Sequence, residues 1–69
     1  MKMSARNQFK GTVVKIEEGV VTALVVSDIG DGKQITSTIS LDALKDLDIK
    51  IGSVVTSVIK ASSVLLFTE

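Results

Sequence analysis

Hydrophobic and polar positions alternate in short runs along most of the chain, the period-two signature of half-buried β-strands. From Gln8 to Glu17 one side carries Phe9, Gly11, Val13 and Lys15, and the other carries Thr12, Val14 and Ile16. Glu17-Glu18-Gly19 reads as a turn. Val20 to Asp28 is apolar on both faces, with Val20, Leu24 and Val26 against Val21, Ala23 and Val25, as in a strand covered on both sides. Ile29-Gly30-Asp31-Gly32-Lys33 reads as a hairpin loop, because glycine supplies the positive φ that tight turns require. Gln34 to Ser40 returns with Ile35, Ser37 and Ile39 on one face and Thr36 and Thr38 on the other.

The period then changes. Leu41, Leu44 and Leu47 recur every three residues, Ser40 stands where an N-cap belongs, and Asp42 falls in the first turn, so this stretch predicts one short helix. Gly52 resets the chain for a strand from Val54 to Lys60. Ala61-Ser62-Ser63 leads into a last strand, Val64 to Thr68. The sum is an all-β fold, a small five-stranded OB-like antiparallel barrel with one short helix, as a single domain over residues 1–69. Composition agrees: ten Val, seven Ile and six Thr make a third of the chain β-branched.

Size sharpens the picture. A chain of 69 residues buries only roughly 60% of its unfolded surface when it folds alone. It has no Cys and no His, which removes disulfides and the usual Zn, Cu, haem-thiolate and Fe–S ligands. Eight basic residues balance eight acidic ones, so no overall field draws the chain to nucleic acid or membrane. Yet 45% of residues are hydrophobic and mean hydropathy is +0.43. Such a chain is expected to hide part of its surface in an oligomer. Its apolar runs stop at four residues, as in Val64 to Phe67, far short of the ~20 that a membrane span needs. Met1 to Asn7 has charge but no apolar h-region, so the expected location is the cytoplasm.

Several chemistries are excluded or weak. Nucleophilic triads and His-based acid–base work lack their residues. The carboxylate pairs Glu17/Glu18, Asp28/Asp31 and Asp46/Asp48 sit in turns or on a polar helix face and read as solvated, so no enzyme and no cation site is expected. Single-strand binding needs aromatic platforms and a basic groove, and only Phe9 and Phe67 are aromatic. What remains is two polar segments: Ser4-Ala5-Arg6-Asn7-Gln8 near the start and Lys60-Ala61-Ser62-Ser63 near the end. Each combines one cation with small hydroxyl or amide donors. Such a set suits a tetrahedral oxyanion, which accepts hydrogen bonds and donates none. Ser40, before a helix N-terminus, is a third candidate. From composition and spacing alone, a flexible N-terminus, an ordinary N-cap and a polar turn are the favoured description of these segments.

The run Ser4-Ala5-Arg6-Asn7-Gln8-Phe9-Lys10-Gly11, followed far along the chain by Val58-Ile59-Lys60-Ala61-Ser62-Ser63-Val64, resembles the molbindin (Mop) family of molybdate- and tungstate-binding proteins. The likeness spans essentially the whole chain, including the Glu18-Gly19-Val20 turn and Thr38-Ile39-Ser40, and it fits the free-standing single-module form. It implies strand exchange within a homo-oligomer, a hexamer built as a trimer of dimers, with oxyanions at subunit interfaces. It also implies roles. Ser4 would give a hydroxyl, Ala5 its backbone, Arg6 charge and donors, and Asn7 an amide or backbone contact. Lys60 would give charge, with the Ala61 N–H and Ser62 hydroxyl beside it, and Ser40 would be a further ligand. A second site would use backbone at Gly19 and Val20. The implied function is storage or homeostasis of molybdate or tungstate without catalysis and without an organic cofactor, sulfate and phosphate being weaker competitors. A sensing module acting on a transporter or transcription factor is the alternative. The two oxyanions are too alike in size and charge for the residues to choose between them.

Overall fold

In the computed structural model residues 6–69 are described, and they form an antiparallel sheet of four strands with one short helix. β1 is Asn7–Glu18, β2 Thr22–Gly30, β3 Lys33–Ser40 and β4 Val54–Ile59, in the spatial order β3-β2-β1-β4. Helix α1, Leu41–Asp46, follows β3. β1 is long because it serves two neighbours. Its first half pairs with β4, from Asn7↔Ile59 to Thr12↔Val54, and its second half pairs with β2, from Thr12↔Asp28 to Glu18↔Ala23. That sharing curls the sheet into an open, OB-like barrel.

Two devices make the curl. Gly11 sits where β1 passes from one partner to the other, and a Cβ there would lie 2.6 Å from the Asp28 carbonyl oxygen, so only glycine lets the strands approach. Just beyond it the register shifts between Val13 and Lys15, a β-bulge at Val14. The bulge changes the phase of the strand. Val13 (1% exposed) and Ile16 therefore both face the core, while Val14 between them is exposed. Strict alternation had put Val13 and Ile16 on opposite faces.

Val13, Ala23, Val25 and Leu44 form the centre of the core, with Ile16, Ile39, Leu41, Ile49 and Val55 packed around them. β2 is covered on both sides over its middle, where Val25 and Val26 are both buried. Val20 and Val21 are instead exposed in the β1–β2 turn, which lies later than Glu17-Glu18-Gly19. Helix α1 carries the expected Ser40 cap: the Ala43 N–H donates to Ser40 Oγ at 3.0 Å, and Leu44 is buried. Positive φ at Gly30, Asp31 and Gly32 turns the β2–β3 hairpin.

The fifth strand is a correction. Residues 64–69 carry no ladder, and Leu65, Leu66 and Phe67 are 93%, 92% and 89% exposed. The physical reason is positional. β4 is an edge strand that the chain leaves through a short 3-10 turn, Ala61–Ser63, and the tail meets no edge of its own sheet. The barrel accordingly stays open between β3 and β4.

Replacing Gly11 by Ala is expected to lower stability by about 1–3 kcal/mol, since the Asp28 backbone must move to admit the methyl group. Urea denaturation at fixed protein concentration measures it, and an unchanged midpoint would show that the strand crossing is looser than described.

Candidate functional site

The β1–β4 pairing brings together the two polar segments that the sequence keeps far apart. Its last pair is Asn7↔Ile59, so Arg6 and Lys60 each stand one residue beyond the same end of the ladder. Both are exposed. The ion pairs formed among the described residues are elsewhere, Lys15–Glu17 at 3.1 Å and Lys50–Asp48 at 3.6 Å, so neither Arg6 nor Lys60 has a carboxylate partner there. Two cations at one end of a ladder leave positive charge there for an anion, and charged hydrogen bonds are the strong ones.

The groups around this corner are small donors. Asn7 Nδ2 donates to the Ile59 carbonyl at 3.3 Å, which ties the start of β1 to the end of β4. That bond gives the Asn7 amide a bracing role as well as leaving its other polar atoms available. Past Ile59, the Ser63 N–H donates to the Lys60 carbonyl at 2.8 Å and the Val64 N–H to the Ala61 carbonyl at 3.3 Å. The N–H groups of Ala61 and Ser62 stand at the start of this turn, where no preceding carbonyl of the turn reaches them. The Ser62 side chain is exposed beside them. Ser4 and Ala5 lie outside the described residues.

Ser40 is not at this corner. Thr22 pairs with Ser40 and Glu18 with Ala23, so Ser40 stands at the far end of β1, next to the Gly19–Val21 turn. There the Gly19 N–H donates to the Thr22 carbonyl at 2.8 Å and the Leu41 N–H to the Val21 carbonyl at 3.0 Å. The twelve residues of β1 between the two ends amount to roughly 40 Å of strand contour. Ser40 Oγ accepts the cap hydrogen bond and keeps its own O–H to donate outward. One chain thus gathers Arg6, Asn7, Lys60, Ala61 and Ser62, and gathers separately Ser40, Gly19 and Val20.

A further polar feature escaped the reading of the sequence. Ser27, Ser37 and Ser57 all point to the inner face, lining a groove of about 550 Å³ between β3 and β4, and Ser27 Oγ lies 3.4 Å from Ser57 Oγ. The available signal was serine at core-facing positions of otherwise apolar strands, as in Val55-x-Ser57-x-Ile59. No group of three or more acidic side chains able to hold a metal ion occurs among the described residues. No helix among them is long and apolar enough to cross a membrane.

The fold is that of a small OB-like β-module with one cationic, donor-rich corner. The TOBE domain family matches residues 3–66. A probable molybdenum-pterin-binding protein of Haemophilus influenzae is 51% identical over 69 residues, covering 100% of both chains. The solved structure of a molybdate-binding protein from Sporomusa ovata superposes with a TM-score of 0.92 at 35% identity, covering 99% of this chain and 100% of that one. The cytoplasmic molybdate-binding protein ModG, solved with molybdate bound, gives 0.86 at 41% identity over 88% of this chain and 43% of its own. The chain belongs to the TOBE domain family and, within it, to the molbindin (Mop) proteins.

Because Arg6 and Lys60 stand at the same end of the ladder without a carboxylate partner among the described residues, removing either charge should not weaken the ligand-free fold. Arg6→Ala and Lys60→Ala are each expected to stay within about 0.5 kcal/mol of the parent in thermal denaturation in oxyanion-free buffer. A larger loss in either would mean that the side chain holds the fold together.

Proposed function

We propose that this protein binds molybdate or tungstate reversibly, as the free oxyanion, for storage and homeostasis in the cytoplasm and without catalysis. The observation that carries the reading is the corner where Arg6 and Lys60 leave the same end of the β1–β4 ladder beside small donors. A tetrahedral dianion offers only acceptors, so it needs donors and positive charge from the protein and no proton transfer. In this reading Arg6 and Lys60 supply charge, the Ala61 N–H and Ser62 hydroxyl supply one wall, Asn7 braces the corner, and Ser4 and Ala5 complete it from the N-terminal side. Ser40 donates its hydroxyl from the other end of a neighbouring subunit's β1. A second site uses the backbone of Gly19 and Val20. The proteins it resembles support the ligand class: the Sporomusa protein is a molybdate-binding protein, and ModG is cytoplasmic and holds molybdate. Sulfate and phosphate share the shape and compete weakly. The reading assigns no organic cofactor, nucleic acid or membrane.

The oligomer belongs to the same proposal, as a strand-exchanged homo-hexamer arranged as a trimer of dimers. Two physical facts support association. The chain exposes 5627 Å², about a third more than a compact monomer of its mass. Its two groups of candidate donors stand at opposite ends of β1, so a site that uses both needs more than one copy.

Isothermal titration with sodium molybdate tests the site. Each charged hydrogen bond is worth about 1.5–3 kcal/mol, so Arg6→Ala and Lys60→Ala should each weaken binding roughly tenfold to a hundredfold while the protein stays folded. Ser40→Asp keeps an equally good helix cap but sets a negative charge where the anion lies, so it should cost affinity and leave stability nearly unchanged. Parent-like affinity in Arg6→Ala and Lys60→Ala together would overturn the assignment of the corner.

A further inference from the structure

The turn that carries the oxyanion donors is also the link to the apolar tail. Lys60, Ala61 and Ser62 lead through the 3-10 turn directly into Val64–Phe67. The tail is apolar on both faces of an extended chain, the pattern of a strand buried on both sides, yet Leu65, Leu66 and Phe67 are almost fully exposed in their own chain. The same chain leaves its barrel open between β3 and β4, over a groove lined by Val25, Ile39, Val55 and Val58 with Ser27 and Ser57. Extended, the five residues Val64–Thr68 reach roughly 17 Å, close to the length of the six-residue β4 beside the gap. A strand without a sheet and a gap without a strand fit each other, and the occupant of each gap is the tail of a second copy.

The hinge of this exchange is lightly held. Two backbone hydrogen bonds shape it, Ser63 N–H to the Lys60 carbonyl at 2.8 Å and Val64 N–H to the Ala61 carbonyl at 3.3 Å. On its other side lies the last pair of the β1–β4 ladder, Asn7↔Ile59, where regular pairing stops. An anion held by Lys60, Ala61 and Ser62 fixes the geometry of the turn and hence the direction in which the tail departs.

Resting on the assignment of Lys60–Ser62 as oxyanion donors, we infer that the bound oxyanion is a latch on the exchanged tail, so that occupancy of the site and strand exchange between subunits are thermodynamically linked. Linkage is reciprocal: a docked tail raises affinity for the anion as the anion holds the tail. The anion concentration then sets how readily subunits trade places, with no movement of the barrel itself.

The test mixes nitrogen-15-labelled and unlabelled full-length protein and follows mixed oligomers by native mass spectrometry. Saturating sodium molybdate is expected to slow their formation about tenfold, whereas sodium chloride at matched ionic strength does not. Lys60→Ala abolishes that slowing. Conversely, the double variant Leu65→Ser/Phe67→Ser loses about fivefold or more in molybdate affinity although neither residue is a donor. The parent protein decides the matter even where the tail variant does not fold. Molybdate that binds by calorimetry yet leaves the mixing rate unchanged overturns the latch and leaves the binding reading intact. Absence of any molybdate binding overturns both, and a monomeric mass with and without molybdate overturns the latch.

Discussion

The pairing of β1 with β4 in the register Asn7↔Ile59 is the constraint on which the rest of this molecule depends. Among the described residues it brings the N-terminal segment from Arg6 and the C-terminal polar segment to a common location. A slip of one residue would turn Val55, Ser57 and Ile59 outward, because side chains alternate across a strand. It would also separate Arg6 from Lys60. The apolar pattern of β4 therefore fixes the geometry of the polar corner: core packing chooses the register, and the register places the charges. Gly11 protects the arrangement from the other side by letting β2 approach where β1 changes partner.

The second governing fact is how little the chain buries. Among the described residues the buried hydrophobics are Val13, Ala23, Val25, Val26 and Leu44, a small core for an all-β fold. Small domains commonly compensate with disulfides or metals. Here Cys and His are absent, and the apolar surface that remains lies at the tail, at Val20 and Val21, and along Leu47, Ile51 and Val54. Exposed apolar surface of this kind is what the association proposed above would cover.

Much of this was legible residue by residue. The alternation of Gln34 to Ser40 located β3, the three-residue spacing of Leu41, Leu44 and Leu47 located α1, and Ser40 is the cap that its position suggested. These succeed because they depend on neighbours within a turn or a strand. The failures share a cause as well. Alternation along β1 misplaced Ile16 because a bulge at Val14 shifts the phase, and a bulge is decided by the partner strand. The tail Val64–Thr68 has the composition of a strand, but a strand exists only where an edge is available to pair with it. Of the candidate site, residue types were readable from the start. Their division into two groups at opposite ends of β1 was not, since nothing in the order of residues says that Ser40 and Lys60 face different ways along the sheet.

The sequence alone thus determined the β-rich architecture, the single helix, the exclusion of thiol and imidazole chemistry, and the resemblance that named a ligand class. All of these rest on local periodicity or on which side chains are present. Only the tertiary structure decided that Arg6 and Lys60 stand at the same end of one ladder without a carboxylate partner among the described residues, that Ser40 stands with Gly19 and Val20 instead, and that the barrel stays open between β3 and β4. Those are outcomes of strand register and sheet order, which arise from long-range packing and have no signature in any short stretch of chain.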